Sequence, residues 1–220
     1  MEELTDEMAI DANICAVAKS LHAKNMLAAA DGNISYRLED ETIYITPSGV
    51  SKAFMKPDEI AVVNIDGEVF TGSPSSELKM HLKIYQQCPM AKAIVHAHPP
   101  VATAWTIARP ELQELPADIL SEVILACGSI PIVKFAFPGT DEMGENLSPY
   151  LPEHRVLLLA HHGALAWGET LEEAHRGMER LEHSAMVLQA AVTLGGLHKL
   201  PDEVVEKLKD RRKAMGELVL

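Results

Sequence analysis

The sequence Ala93-Ile94-Val95-His96-Ala97-His98 is the strongest single indication of this chain's architecture, because two histidines stand two residues apart at the end of an apolar run. The run predicts a buried strand, and residues i and i+2 of a strand point to the same face of the sheet. Both imidazoles therefore project together. Neighbouring imidazoles of this kind are typical ligands of a divalent metal ion.

A second apolar run that ends in histidine is Leu157-Leu158-Leu159-Ala160-His161-His162-Gly163. The plainer interpretation is that these histidines are ordinary polar residues at strand ends, but two such elements in one chain favour a shared metal site. Adjacent strand residues face opposite ways, so only one of His161 and His162 can reach that site. The spacing does not choose between them.

Length, composition and charge limit the class of protein. A chain of 220 residues with 47% hydrophobic residues predicts one domain, residues 1–220. The net charge of -13 argues against nucleic acid as the main partner. Three cysteines without C-x-x-C spacing predict reduced thiols and a cytoplasmic protein. The acidic N-terminus lacks the basic region of a signal peptide, and no apolar run approaches the ~20 residues of a membrane span.

Hydrophobic periodicity and turn signals predict a mixed α/β layer structure with a central, mostly antiparallel sheet flanked by helices. The predicted helices are 5–30 (one or two helices, with Thr5 as N-cap), 74–87, 101–108, part of 141–151, 170–196 with a capping box at its head, and 202–220. The predicted strands are 34–37, 42–46, 60–63, 68–70, 93–98, 130–136 and 156–160, the last strong strand. Residues 119–126 are compatible with either helix or strand.

Glu77 stands in the first turn of the helix that precedes the first histidine pair. Acidic residues are common there because of the helix dipole, so Glu77 alone would be unremarkable. Beside a histidine site it becomes the candidate fourth functional group. His81, four residues later, is explained by an i,i+4 contact with Glu77, and His175 and His183 by a solvated helix face with Glu172, Glu179 and Glu182.

Three small-residue turns lie upstream of the first histidine pair: Gly32-Asn33, Ser48-Gly49 and Ser75-Ser76. Serine hydroxyls, backbone N–H groups and a helix N-terminus together bind phosphate without a lysine. Such turns are common, and each by itself predicts only a turn. Together with the histidines they predict one small-molecule site that has a phosphate end and a metal end.

The chain resembles the class II aldolase/adducin family. The motifs that carry the resemblance, over about 32–168, are Gly32-Asn33-Ile34-Ser35, Ile45-Thr46-Pro47-Ser48-Gly49-Val50, Pro74-Ser75-Ser76-Glu77, Val95-His96-Ala97-His98 and Leu159-Ala160-His161-His162-Gly163. The resemblance implies a central antiparallel sheet with helices on both sides and a cyclic homotetramer with active sites at subunit interfaces.

The resemblance also implies a role for each matching residue. His96, His98 and His162 would bind Zn²⁺, or another divalent transition metal. Glu77 would ligate the metal in the empty enzyme and act as the acid/base once substrate displaces it. The implied phosphate-binding residues are Asn33, Ser48, Gly49, Ser75 and Ser76.

The implied activity is that of a metal-dependent aldolase. It would cleave a phosphorylated ketose such as L-fuculose 1-phosphate to dihydroxyacetone phosphate and an aldehyde. Two tyrosines that handle the aldehyde in such aldolases have no counterpart: Leu120 stands at the first position, and Lys209-Asp210-Arg211 occupies the C-terminal region.

Other activities of the same scaffold are alternatives to aldol cleavage. They are methylthioribulose-1-phosphate dehydratase, sugar-acid phosphate decarboxylase and pentulose-phosphate 4-epimerase, the last disfavoured because such epimerases carry aspartate at the position of Glu77. A non-catalytic, adducin-like interaction module is a further alternative, and the intact histidine and glutamate set speaks against it.

Overall fold

The computed structural model describes residues 6–116 and 118–216. In this part of the chain the helices are α1 (Asp6–Ala23), α2 (Leu78–Gln87), α3 (Pro100–Ala108), α4 (Ser121–Ala126), α5 (Asp141–Leu147), α6 (Leu171–Leu194) and α7 (Asp202–Ala214). Short 3₁₀ turns lie at Pro57–Glu59 and Ser148–Tyr150. No described helix is both long enough and apolar enough to cross a bilayer.

The strands form one nine-stranded sheet. They are β1 (Asn33–Arg37), β2 (Ile43–Ile45), β3 (Ala61–Val63), β4 (Val69–Thr71), β5 (Ala93–Ala97), β6 (Glu114–Leu115), β7 (Ile130–Val133), β8 (Val156–Leu159) and β9 (Gly163–Gly168). The spatial order is β4-β3-β2-β1-β5-β9-β8-β7-β6. Among the described strands only β7 and β8 pair in parallel, so the predicted mostly antiparallel sheet is confirmed.

Alternation along β5 divides the core into two layers. Val95 packs with α1 and α6 on one face, whereas Ile94 packs with α2 and α5 on the other. Because the sheet is covered on both faces, β8 is apolar throughout and β5 is apolar up to His96. The predicted helices on both sides of the sheet are therefore confirmed.

β9 is the main element that the sequence did not reveal, and β8 is therefore not the last strand. Gly163-Ala164-Leu165-Ala166-Trp167-Gly168 is rich in glycine and alanine, which have low strand propensity, yet it is buried along its whole length between β5 and β8. A Cβ on Gly163 would lie 2.4 Å from the carbonyl oxygen of Ala97. Glycine is thus needed for β9 to reach its neighbour, and pairing on both edges outweighs the weak local propensity.

Several predicted boundaries shift. The first helix ends at Ala23 rather than near Ala30, since Asn25 and Ala29 adopt left-handed backbone conformations (φ 60° and 47°) that a helix does not contain. The strand predicted over 130–136 ends at Val133, and 119–126 is helical as α4. The predicted N-cap of α6 is confirmed, because the Thr170 side chain accepts a hydrogen bond from the backbone N–H of Glu173. The reciprocal bond of a capping box is not formed, since the Glu173 carboxylate accepts from the N–H of Glu169 instead.

Two predicted features of the chain ends lie outside the described residues. They are the N-cap at Thr5 and the last residues, 217–220, of the helix predicted over 202–220. The described part of that helix is α7.

Candidate metal centre

Three imidazoles converge at one end of β5. His96, His98 and His162 place one ring nitrogen each within 4.8 Å of one another. The Nε2 atoms of His96 and His98 are 3.2 Å apart. Nitrogens that are about 2.0–2.1 Å from a tetrahedrally coordinated Zn²⁺ are separated by roughly 3.3 Å, so the donor set and its spacing fit a divalent ion.

Sheet register places His96. Its backbone lies opposite Asn33 on β1 and Leu165 on β9. The Nδ1–H of His96 donates to the carbonyl oxygen of Ala164 at 2.8 Å, because a carbonyl can only accept. With Nδ1 occupied in this way, Nε2 is the ring nitrogen that faces the other imidazoles.

His98 follows the end of β5 and is held by its backbone. Its N–H donates to the carbonyl oxygen of Met26 at 2.8 Å, and its Nδ1 lies 3.8 Å from Asp31 Oδ2. The next element, α3, is anchored by Glu182 of α6, whose carboxylate accepts from the N–H groups of Val101 and Ala102 at 3.0 and 2.9 Å.

Glu182 therefore corrects one prediction. The sequence predicts a solvated helix face for His175, His183 and the neighbouring glutamates. That prediction is wrong for Glu182, which is buried and caps α3. Helix α3 begins directly after the histidine pair, so this cap also holds the segment that carries His98.

His162 is the member of the His161-His162 pair that reaches the cluster. The predicted reason, alternation along a strand, is wrong: both residues lie in the tight turn between β8 and β9. His161 has a left-handed backbone (φ 57°), and its N–H donates to Thr106 Oγ1 at 3.0 Å. The turn leaves the side chain of His161 exposed and directs that of His162 inward.

The carboxylate of Glu77 lies against the same imidazoles from the N-cap position of α2. Its Oε2 is 3.2 Å from His96 Nε2 and accepts from Asn33 Nδ2 at 2.7 Å, and its Oε1 is 3.4 Å from His162 Nε2. Burial alone would raise the pKa of Glu77, but the hydrogen bond and charge of His96, together with Asn33, hold that pKa well below its ordinary value. Glu77 is thus an ionised carboxylate positioned to complete the donor set.

Behind Glu77 runs a buried chain of hydrogen bonds. His81 Nε2 donates to Asn33 Oδ1 at 2.5 Å, and its Nδ1 accepts from Ser35 Oγ at 2.7 Å; Ser35 in turn contacts the Tyr85 hydroxyl at 2.7 Å. The ring nitrogens of His81 thus bond to Asn33 and Ser35, and Glu77 acts on this imidazole only through its charge. The chain fixes the orientation of the Asn33 amide and through it Glu77. Ser35, a polar residue between two others that face the same side of β1, was the sequence signal for it.

One cavity of about 350 Å³ joins the histidines to the small-residue turns. All the predicted phosphate-binding residues line it: Asn33, Ser48, Gly49, Ser75 and Ser76. Glu77, His98 and His162 line the same space, as does the buried Lys52, which no sequence motif indicated.

Backbone contacts hold two of these turns side by side. Pro47 and Pro74 form a bridge, the N–H of Ser48 donates to Ser73 O at 3.0 Å, and the N–H of Ser75 donates to Thr46 O at 3.1 Å. The two serine turns are therefore one rigid wall of the cavity.

The positions expected to replace the aldehyde-side tyrosines lie elsewhere. Leu120 packs on the apolar core, and Lys209 lines a different cavity between α4 and α7. Among the described residues, no tyrosine lines the cavity of the histidine cluster.

Comparison with known proteins gives consistent relationships. The family model of the class II aldolase and adducin N-terminal domain matches residues 12–188. The 3-oxo-tetronate 4-phosphate decarboxylase of Escherichia coli strain K12 is 30% identical over 188 residues, with 83% of this chain and 87% of that protein covered. The L-fuculose phosphate aldolase of Methanococcus vannielii is 34% identical over 165 residues, covering 75% and 87%. The crystal structure of YgbL from Escherichia coli superposes with a TM-score of 0.87 at 27% identity, covering 93% and 100%.

Metal titration tests the cluster with a matched pair of variants. We expect His162→Asn to weaken binding of Zn²⁺ or Co²⁺ by more than the roughly 10–100-fold that follows loss of an outer partner, because a direct ligand is removed. His161→Asn removes the neighbouring imidazole, and asparagine tolerates the left-handed backbone there. It should bind metal like the wild type. Equal affinity of both variants would exclude His162 as a ligand.

The metal-free protein should lose stability in acid. Burial lowers the pKa of His81 and of His98 to about 3, with the charge of His96 acting in the same direction. In the unfolded chain both imidazoles have an ordinary pKa, so each takes up a proton near pH 6.5. The free energy of unfolding is thus fully retained above pH 6.5 and falls toward pH 3, by up to ~1.4 kcal/mol per pH unit for each imidazole.

Denaturant unfolding in chelator at several pH values measures this dependence. His81→Gln should reduce the slope, whereas replacement of the exposed His198 by glutamine should not. A flat profile of the wild type between pH 6.5 and 4 would contradict the assignment.

Proposed function

This chain belongs to the class II aldolase and adducin family, and on that premise we propose that it is a metal-dependent lyase that cleaves a carbon–carbon bond beside the carbonyl group of a phosphorylated ketose. The observation that carries the proposal is the single cavity that joins a three-histidine, one-glutamate cluster to turns of serine and glycine. We take the reaction to be an aldol cleavage that releases dihydroxyacetone phosphate and an aldehyde.

The metal end of the cavity suits Zn²⁺. Three neutral imidazoles and one carboxylate are ligands that Zn²⁺ accepts, and the Ala164 carbonyl orients His96 for that role. A divalent ion held there would polarise the substrate carbonyl and stabilise the negative charge that develops when the bond breaks. Other divalent transition metals accept the same donor set.

The phosphate end is built from the two serine turns and Asn33. The hydroxyl groups of Ser48 and Ser76 are exposed to the cavity, and Ser75 is anchored below them, with its Oγ accepting from the N–H of Glu77 at 3.3 Å. Hydroxyl and N–H donors at the start of α2 suit the oxygens of a phosphate. The phosphate would fix the distance between the reacting carbon and Glu77.

Glu77 is the residue that we assign to proton transfer. It lies between the imidazoles and the serine turns, and Asn33 holds its Oε2 at 2.7 Å. Cleavage leaves negative charge on the carbon next to the carbonyl, and that carbon must take up a proton before product leaves. Glu77, which is ionised in the empty site, would first take up a proton from solvent and would then deliver it to that carbon.

Decarboxylation is the second candidate reaction, and the similarity to the 3-oxo-tetronate 4-phosphate decarboxylase of Escherichia coli supports it. Release of an aldehyde requires a hydroxyl group of the substrate to lose a proton to a nearby base. Loss of CO₂ starts from a carboxylate that is already ionised, so it needs no such group. A 3-oxo-tetronate 4-phosphate that loses CO₂ yields dihydroxyacetone phosphate, the same product half as aldol cleavage.

We further propose a homotetramer with active sites at subunit interfaces. Phe135 and Phe137 support it: their rings pack on each other, they are 44% and 67% exposed, and they adjoin Pro138 in the cavity wall. Large exposed aromatic side chains beside a binding cavity are typical of a surface that a partner subunit covers.

A product assay with phosphorylated ketoses and 3-oxo sugar-acid phosphates, with and without chelator, identifies the reaction. We expect release of dihydroxyacetone phosphate that chelator abolishes and added Zn²⁺ restores. Co-release of aldehyde supports aldol cleavage, and co-release of CO₂ supports decarboxylation. Formation of an epimer or loss of water would replace both candidates, and a protein with no affinity for divalent ions would favour a non-catalytic module.

Glu77→Gln tests the acid/base assignment. Glutamine preserves the shape of the side chain and an acceptor for Asn33, so folding should be unaffected, but it cannot transfer a proton. We expect kcat to fall by roughly 10²–10⁴-fold. Metal content and thermal midpoint serve as controls, and near-normal turnover with metal bound would refute the role.

A further inference from the structure

Lys52 is buried beneath the phosphate end of the cavity, although lysine is one of the residues that proteins bury least often. It is 1% exposed, and its Nζ donates to three carbonyl oxygens: Ala30 at 3.0 Å, Pro47 at 3.2 Å and Val50 at 2.9 Å. These carbonyls belong to the two segments that carry Asn33 and Ser48-Gly49. One ammonium group thus joins the segment before β1 to the segment after β2.

The charge of Lys52 is not neutralised by a neighbouring acid. Among the described residues no carboxylate oxygen lies within 4.0 Å of its Nζ; Asp31, on the same cavity, acts only from farther away. Burial accordingly lowers the pKa of Lys52. Burial of an unpaired cation is costly, and carbonyl dipoles compensate only part of that cost. An anion in the adjoining cavity would supply the missing counter-charge.

We propose that Lys52 is a positioning residue of the phosphate site, which clamps the turns of Asn33 and Ser48-Gly49 together and provides the fixed positive charge that a phosphate dianion in the cavity complements. This inference rests on the proposed function, because it takes the phosphate end of that cavity as given.

Lys52 would act without touching the phosphate. An ammonium group has three N–H donors, and the three carbonyls occupy all of them. Its contribution is therefore the geometry of the turns and the electrostatic field in the cavity. Loss of the charge should weaken phosphate binding, whereas bond cleavage at the metal end should be little affected.

The test compares four variants of the metal-loaded protein. Lys52→Gln keeps N–H donors but removes the charge, Lys52→Arg keeps both, and Lys52→Met removes both. Lys56→Met removes an exposed positive charge four residues away and is the matched control. Binding of inorganic phosphate is measured by calorimetry and by the rise in thermal midpoint that phosphate produces in each variant. Steady-state kinetics with the phosphorylated substrate follow.

We expect Lys52→Gln and Lys52→Met to raise the Kd for phosphate at least roughly tenfold, which is the equivalent of about 1.4 kcal/mol. KM should rise with kcat nearly unchanged, and Lys52→Arg should restore most of the affinity. Lys56→Met should match the wild type.

Three outcomes would overturn the inference. If Lys52→Gln binds phosphate as tightly as the wild type, the charge of Lys52 has no role in phosphate binding. If Lys56→Met loses as much phosphate affinity as the Lys52 variants, the effect is a general one of net charge. A wild-type protein that binds no phosphate would refute the proposed phosphate site itself and this inference with it. The first two results leave the proposed function standing.

Discussion

The register of β5 against its two neighbours is the constraint on which the whole site depends. It sets His96 opposite Asn33 on one side and Leu165 on the other, and it brings Ala164 O within 2.8 Å of His96 Nδ1. A shift of one residue would turn His96 to the opposite face of the sheet. The apolar residues of β5 prevent that shift, since each face has its own packed layer. Core packing and the geometry of the histidine cluster are thus specified by the same pairing.

The polar groups buried around this strand are hydrogen-bonded to one another in a chain. Tyr85, Ser35, His81 and Asn33 form a continuous line of hydrogen bonds that ends at Glu77. An unpaired buried polar group costs free energy, so each member of the line depends on the next. The carboxylate of Glu77 is therefore held in one orientation before any ligand binds.

The two ends of the cavity differ in how they are stabilised. The imidazoles are held by a carbonyl, a tight turn and a helix cap, whereas the serine turns are tied together by backbone bonds and by the buried Lys52. The two proposed reactions, aldol cleavage and decarboxylation, would share dihydroxyacetone phosphate as a product, and these two ends would serve that shared half. The two proposed reactions differ in the other product that the substrate releases, an aldehyde or CO₂.

Local sequence determined much of this protein: the antiparallel sheet between helices, the strand β5 that leads into the His96 and His98 pair, the capped α6, and the family. These follow from periodicity, turn chemistry and short-range spacing, which act within a few residues. Tertiary structure decided the rest. It selected His162 through a turn, made a strand of the glycine- and alanine-rich β9, directed His81 to Asn33, and buried Lys52 and Glu182. Each of these depends on contacts between residues far apart in the chain, whose energies exceed local preferences and leave no local pattern.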